Sequence, residues 1–252
     1  MSEVSASPTL PLPPPKKSGF QRLIGVLVNP GPTFEDIARK PDVLAPLVVI
    51  VIVAFVGIGL TMSHMDWDAM IAQQQEQMKA KNPNMSQADL DRIARMTRSM
   101  SSVGIWFAPG FIIVGTVIIA VVLWGAFRMF GGHGNFMQAW SATLYAWMPR
   151  VIQSIIGTIV VMAKGKVDPT QMATLVKSSP AFLVDMKEQP FLFALLASFD
   201  IFTIWSLILL IIGFAALSKT SRAKAATIII SIWLILTVVK SGFAGLMGRA
   251  RA

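Results

Sequence analysis

Five long apolar segments alternate with polar segments along the chain. They cover residues 43–62, 103–127, 139–163, 191–217 and 225–247. A helix crosses the roughly 30 Å hydrocarbon core of a bilayer with about 20 apolar residues, and the first two segments carry no charged residue. The pattern predicts an all-α integral membrane protein, a bundle of five transmembrane helices with short interfacial helices.

Three prolines modify this pattern. Pro109, next to Gly110, should kink the second span or move its start inward. Pro149 should kink the third span, because proline removes a backbone donor from the helix. Pro190 precedes the fourth span, and proline is favoured at the start of a helix.

The polar segment 63–102 is the longest one between the predicted spans. It should contain two helices, over residues 68–81 and 87–101, and Ser86 followed by Asp89 is a capping pattern for the second. The second helix has an apolar stripe formed by Leu90, Ile93, Met96 or Thr97, and Met100. We expect this stripe to cover the bundle or to dip into the interface.

A similar capping pattern precedes the first span. Thr33 follows a turn rich in proline and glycine, and Asp36 lies three residues further on, so we expect a short helix to begin at Thr33. Its apolar positions share one face, with Arg39 and Lys40 beside them. This helix is therefore predicted to lie on the headgroup surface.

The composition of the two termini and the net charge limit the domain boundaries and the possible partners. Residues 1–19 are predicted to be a disordered, Pro-rich tail and residues 249–252 a second short tail, which leaves one membrane domain over residues 20–248. The formal net charge of +9 comes from Lys and Arg residues spread over loops and termini, without a recognisable nucleic-acid module. This distribution favours contact with anionic lipid headgroups and argues against nucleic acid as a partner.

The last three apolar segments contain one ionisable residue each, namely Arg150, Asp200 and Lys240. A charge in hydrocarbon costs roughly 2.5–3.5 kcal/mol on insertion scales, so such residues normally face other helices or a water-filled cavity. Asp200 and Lys240 fall at similar depths, which predicts an ion pair that Arg150 could widen. Polar residues on the same helix faces complete a candidate intramembrane polar cluster: Gln153, Ser154, Thr203 and Thr237.

Two roles remain open for this cluster. A structural role would fix which helices pack together and in which register. The other role is a path for a substrate, an ion or protons, because ionisable residues inside a membrane are functional candidates by default.

Catalysis and metal binding have little support in the sequence. His64, Asp66 and Asp68 are weak candidate metal ligands, and a solvated acidic loop is the simpler interpretation of their spacing. The chain has no cysteine and no recognisable catalytic or nucleotide-binding motif. We predict no enzymatic activity, no catalytic residue, no bound metal and no cofactor.

The order of these features resembles the Yip-one domain family, membrane proteins named for their interaction with Ypt/Rab GTPases. The resemblance covers residues 20–248 and rests on the five spans and three short motifs. These motifs are Asn29-Pro30 with Thr33-Phe34 and Ile37, Gly131-Gly132-His133-Gly134-Asn135-Phe136, and Tyr145-Ala146 with Pro149. The resemblance implies a cytosolic N-terminal segment, a five-helix bundle and a role in membrane organisation or trafficking through protein partners. The short Pro-rich tail is similar to that of bacterial members.

Two functions therefore compete. The first is a non-enzymatic membrane scaffold or adaptor that contacts the lipid bilayer and acts through a protein partner or self-association. The second is a small transporter or channel that uses Arg150, Asp200 and Lys240. The lack of an internal repeat of the kind found in many transporters favours the first. The basic loop at 219–224 predicts a cytoplasmic N-terminus, in a bacterial inner (plasma) membrane.

Overall fold

The computed structural model describes residues 17–167 and 175–249, and within these two stretches it contains ten α-helices and no β-strand. The helices are α1 (Gly19–Val28), α2 (Pro30–Arg39), α3 (Leu44–Ser63), α4 (Trp67–Lys81), α5 (Gln87–Met129), α6 (Phe136–Ala146), α7 (Met148–Lys164), α8 (Pro190–Ala197), α9 (Ile201–Ser218) and α10 (Arg222–Arg249). A short 3-10 helix, Pro180–Leu183, precedes α8.

Within residues 17–167 and 175–249, five apolar stretches are long enough to cross a membrane, which confirms the predicted fold class. They are Leu44–Ser63, Val103–Met129, Phe136–Lys164, Ile201–Ser218 and Arg222–Gly248. Successive stretches run in opposite directions, so the connections collect at two ends of the bundle. We call the end that carries α1, α2 and the turns after α5 and α9 the N-terminal end, and the end that carries α4 and the segment before α8 the distal end.

The N-terminal end holds a helical hairpin, α1–α2, that packs into the bundle. The side chains of Phe34 and Ile37 in α2 are each only 1% exposed. Gly213 of α9 lies against the Phe34 ring, and a Cβ at Gly213 would come within 2.9 Å of that ring. The prediction that this helix lies on the headgroup surface is therefore wrong, because the missing side chain of Gly213 lets α2 bury its apolar face against protein.

The start of α2 also differs from the prediction. The helix begins at Pro30 with Asn29 as its N-cap residue, and the Thr33 hydroxyl donates to the Asn29 carbonyl oxygen over 2.8 Å. Asp36 does not complete a capping box. It accepts a hydrogen bond from Nε of Arg22 in α1 over 2.9 Å, so a tertiary ion pair replaces the local capping contact.

Helix α1 lies in a region where the sequence pattern predicts no helix. Ser18 and Gln21 form a capping box at its start, so residues 17–19 belong to the entry into α1, whereas the rest of the predicted tail lies outside the described residues. Arg22 is only 4% exposed, and its Nη1 also donates to the Lys40 carbonyl oxygen over 3.0 Å. At the other terminus, α10 includes Arg249, and residues 250–252 lie outside the described part.

The second span continues directly from an extramembrane helix. Helix α5 runs for 43 residues, and Pro109 lies inside it without ending it. Its first turns pack beside α4 as a helical hairpin, with the Gln75 side chain donating to the Leu90 carbonyl oxygen. The Ser86 cap is confirmed, because its hydroxyl accepts from the Asp89 amide over 3.2 Å. Of the predicted apolar stripe, Leu90 is buried, and Met96 and Met100 are exposed.

The third and fourth predicted spans are each divided. Helices α6 and α7 meet at Trp147, just before Pro149, where the sequence predicts a kink. The fourth predicted span, 191–217, is not one helix, because the chain leaves the helical conformation between α8 and α9 at residues 198–200. Helix α8 packs closely on α10, where Gly248 leaves room for Pro190; a Cβ at Gly248 would clash with that ring.

Candidate functional site

Asp200 lies at the start of a helix and not in the middle of one. Its backbone is extended, and its Oδ1 accepts hydrogen bonds from the amides of Phe202 and Thr203, each over 3.0 Å. The Thr203 hydroxyl donates to Oδ2 of the same carboxylate. These bonds satisfy backbone donors that have no partner within α9, and the helix dipole favours a negative charge at this position.

Arg150 of α7 is the ion-pair partner of Asp200. Its Nη1 lies 3.2 Å from Oδ2 of Asp200 and also donates to Oε1 of Gln153 over 3.0 Å. Gln153 in turn donates from Nε2 to Oδ1 of Asp200 over 3.3 Å. Asp200 is 4% exposed, whereas the side chain of Arg150 is 47% exposed. The carboxylate is therefore enclosed, and the guanidinium group is open on one side.

Lys240 makes a different contact from the predicted one. Its Nζ donates to the hydroxyl of Ser198 over 2.7 Å, and that hydroxyl donates to the Ala194 carbonyl oxygen over 3.0 Å. The predicted ion pair between Asp200 and Lys240 is wrong. Because α8 packs along α10, Lys240 meets the end of α8, while the Asp200 carboxylate faces α7.

The remaining predicted cluster residues occupy separate positions. Thr203 belongs to the Asp200 network, and Ser154 lies one turn beyond Arg150 on the wall of a cavity. Thr237 is buried in α10, one turn before Lys240, and within the described part of the chain it has no hydrogen bond to Arg150 or Asp200. The structure thus brings four predicted residues into one network: Arg150, Gln153, Asp200 and Thr203.

The cavity beside this network has a volume of about 650 Å³. Helices α3 and α7 form two of its walls, and the segment before α8 forms a third. These helices approach closely at Gly57, where a Cβ would lie 3.0 Å from the Thr158 hydroxyl. The polar and small residues of the lining are Gly57, Thr61, Arg150, Gln153, Ser154, Gly157, Thr158, Ser178, Ser179 and Asp200.

An apolar layer closes the bundle between this cavity and the N-terminal end. It consists of Phe34, Phe127, Tyr145 and Phe214, none of which is more than 1% exposed. The rings of Phe127 and Phe214 pack with their centroids 4.9 Å apart. The Tyr145 hydroxyl donates to Oδ2 of Asp42 over 3.2 Å, beyond the apolar part of the layer. None of these four side chains is among the described residues that line the cavity.

The weak metal candidates have other partners. Nδ1 of His64 lies 2.9 Å from the Leu60 carbonyl oxygen, Asp66 caps α4, and Asp68 forms an ion pair with Arg98. Within residues 17–167 and 175–249, no group of three or more His, Cys, Asp or Glu side chains is placed to hold a metal ion.

Sequence reasoning missed the contributions of Ser198 and Ser178. Ser198 holds Lys240, and Ser178 lies 3.5 Å from Nε2 of Gln153. A signal for the helix break was present, because aspartate is one of the preferred residues at the N-cap of a helix. No local signal marks Ser178, since its role depends on a segment that returns to α7 in three dimensions.

Two comparisons with known proteins agree with this architecture. The sequence model of the Yip1 domain, the Yip-one domain named above, matches residues 24–241. A relative described as "Membrane protein YknW", from Bacillus subtilis (strain 168), is 25% identical over 225 residues, which cover 89% of this chain and 90% of that protein. No solved structure matches the chain.

Proposed function

Since this chain belongs to the Yip1 domain family of membrane proteins, we propose that it is a non-enzymatic membrane scaffold or adaptor in membrane organisation or trafficking. The apolar layer of Phe34, Phe127, Tyr145 and Phe214 carries this proposal. Four rings buried in the interior towards the N-terminal end argue against a polar path that continues from the Arg150–Asp200 pair to that end. The charged cluster then serves to hold α7 and the start of α9 in register.

The short basic loop at residues 219–224 supports an orientation with the N-terminal end in the cytoplasm. The basic residues at this end are Lys17, Arg22, Arg39, Lys40, Arg128, Lys219, Arg222 and Lys224, and three of them belong to the short loop between α9 and α10 or its edge. Basic residues near short loops favour the cytoplasmic side of a membrane. In a bacterial cell this arrangement places the distal end outside the inner membrane.

Helix α1 offers a surface for the lipid bilayer at the N-terminal end. Phe20, Ile24 and Val28 are all exposed and recur every four residues, so they form one apolar stripe, while Arg22 and Val26 face the protein. An apolar stripe of this kind at the end of a membrane bundle suits the boundary between headgroups and acyl chains. Basic residues nearby suit anionic headgroups. The scaffold would act from this lipid contact through a protein partner or self-association.

Reconstitution into vesicles tests the proposal. The scaffold function predicts that vesicles with the full chain release entrapped ions and small solutes no faster than empty vesicles. It also predicts that a defined partner, or a second tagged copy of the chain, co-purifies from gently solubilised membranes. Solute flux that depends on the protein and is lost in an Arg150→Gln variant would contradict the scaffold function.

The observation that favours the second candidate function, a small transporter or channel, is the cavity. Arg150 and Asp200 both line a space of about 650 Å³, and Lys240 is held near them through Ser198. A transporter would need the apolar layer to open during its cycle. Flux together with the absence of a partner would favour this function, which is the reverse of the result expected for a scaffold.

A further inference from the structure

The guanidinium group of Arg150 is held in place through a single nitrogen. Nη1 donates to both Asp200 and Gln153, at 3.2 and 3.0 Å. Within the described part of the chain, no residue accepts a hydrogen bond from Nε or Nη2. Asp200 is itself fixed by the first turn of α9. The group is thus positioned on one edge and free to bind on the other.

That free edge has the geometry for an oxyanion. Nε and Nη2 of arginine present two parallel donors that match two oxygens of a phosphate or a carboxylate. The side chain of Arg150 lines the cavity and is 47% exposed although it belongs to an apolar stretch of helix. Unengaged charged donors within a bilayer are costly unless water or a ligand satisfies them.

The two charged groups that line the cavity differ in how far they are enclosed. The Asp200 carboxylate is 4% exposed and is held by Arg150, Gln153 and the first turn of α9, whereas the side chain of Arg150 is 47% exposed. Among the described lining residues, Arg150 and Asp200 are the only charged side chains. The charged group exposed to the cavity is therefore the cation, which favours an anionic ligand.

The rest of the lining combines hydroxyl groups with apolar surface. Thr61 and Ser154 add hydroxyls on the two helices that flank the cavity, and Gly57 and Gly157 leave space between them. Apolar side chains cover the remaining wall: Ile58, Met62, Met65, Val161, Leu175, Val176 and Ala197. A ligand with an anionic head and an apolar tail fits these two kinds of surface.

We propose that this cavity binds a phosphate-type oxyanion through Nε and Nη2 of Arg150. The group could come from the headgroup of an anionic phospholipid or from free phosphate, and the apolar wall favours the lipid. The inference goes beyond the scaffold function and does not depend on it. If the cavity instead serves transport, the same chemistry defines the class of substrate.

Binding to the purified full chain in a neutral detergent tests this proposal. The probes are a short-chain phosphatidylglycerol, the matched uncharged diacylglycerol, and inorganic phosphate, each titrated while the thermal stability is followed. We expect saturable stabilisation by phosphatidylglycerol and none by diacylglycerol. Stabilisation by inorganic phosphate at similar concentrations would identify the free anion as the ligand. No saturable effect of either phosphate compound would overturn the proposal.

Variants assign the binding to this cavity. Arg150→Gln should weaken phosphatidylglycerol binding at least about tenfold, since it removes two charge-assisted hydrogen bonds. Arg92→Gln, on the exposed surface of α5 at the distal end, is the matched control and should change the affinity less than about twofold. A folded Arg150→Gln variant that binds as tightly as the wild type would contradict the proposal.

A second variant leaves the ion pair intact. A Cβ at Gly157 would meet only Val176, at 3.9 Å, so Gly157→Leu adds its side chain to the cavity that Gly157 lines. This variant should also lose binding about tenfold without losing Arg150, which settles the question if Arg150→Gln does not fold. Unchanged binding by Gly157→Leu would show that the ligand lies elsewhere.

Discussion

Arg150 of α7 and Asp200 at the start of α9 form an ion pair of 3.2 Å across a separation of 50 residues in the sequence. The same carboxylate accepts two backbone hydrogen bonds as the N-cap of α9. The Asp200 side chain thus caps the helix that follows the break in the fourth predicted span. It also neutralises Arg150, the charged residue of the third span. The charges of Arg150 and Asp200 are therefore paired at the N-terminus of a helix and not between two residues in the middle of helices.

The two roles of Asp200 can be separated by substitution. Asp200→Asn keeps an oxygen that can cap α9 but removes the charge next to Arg150, whereas Asp200→Ala removes both. We expect Asp200→Ala to lower the free energy of unfolding by about 1 kcal/mol more than Asp200→Asn, which is the usual contribution of an N-cap. Equilibrium unfolding in mixed detergent micelles measures the difference.

A double substitution tests which basic residue neutralises Asp200. Adding Arg150→Gln to Asp200→Asn should recover part of the lost stability, with a coupling of about 0.5–3 kcal/mol for residues in contact. Adding Lys240→Met is the matched control and should give no recovery, because Lys240 bonds to Ser198. Recovery with Lys240→Met alone would restore the pairing that the spacing in the sequence suggests.

The ion pair between Arg22 and Asp36 should contribute far more to the free energy of unfolding than the exposed pair of Arg39 and Glu35. Arg22 is 4% exposed and joins α1 to α2, so Arg22→Ala leaves the Asp36 carboxylate, which is 19% exposed, unpaired and should cost about 3 kcal/mol, the lower end of the range for buried pairs. Arg39 and Glu35 are 3.7 Å apart but mostly exposed, and Arg39→Ala should cost less than about 0.5 kcal/mol. Unfolding of both variants under the same conditions provides the comparison, and equal costs would contradict the docked hairpin.

The approach of Phe34 to Gly213 predicts a packing defect. A Cβ at Gly213 would lie 2.9 Å from the Phe34 ring, which is fully surrounded, so Gly213→Ala should destabilise the protein by about 1–3 kcal/mol. Gly115→Ala is the control, since nothing lies within 4 Å of its Cβ position in α5. It should have little effect or stabilise slightly through helix propensity. Similar thermal stabilities for the two variants would show that α2 does not pack there.

The cap at Ser86 predicts a local effect. Ser86→Ala removes the acceptor for the Asp89 amide and should cost about 1 kcal/mol at the start of α5. Hydrogen exchange of the first turn of α5 should then become about fivefold faster, while the bundle keeps its protection. Ser99→Ala, on an exposed part of the same helix, should leave this exchange unchanged. Faster exchange across the whole bundle would mean that the hairpin and the bundle unfold together.

The number of spans follows from hydropathy because each span is longer and more apolar than most buried helices of water-soluble proteins. The break at residues 198–200 cannot be predicted from hydropathy. Any window of span length around it contains many apolar residues, so one serine and one aspartate hardly lower its mean hydropathy. Treating Asp200 as an N-cap residue would have predicted the start of α9 correctly.

Contacts between distant segments had no comparable signal. Arg22 and Asp36 lie in a region where the sequence suggested one surface helix, and their pairing depends on α1 folding back along α2. The choice of Ser198 for Lys240 likewise depends on how α8 packs against α10. Hydropathy defines the spans, and side-chain chemistry names Arg150, Asp200 and Lys240, but the pairing depends on tertiary packing.

The most direct test of a bundle closed on one side is cysteine accessibility, since the chain has no native cysteine. Ser154→Cys places a thiol on the cavity wall, and Thr237→Cys places one at a buried position of α10. A membrane-impermeant thiol reagent is applied to intact cells and to inverted membrane vesicles. We predict that Ser154→Cys is labelled from the distal side only and that Thr237→Cys is labelled from neither. Labelling of Ser154→Cys from both sides would show a continuous aqueous path and contradict the scaffold function.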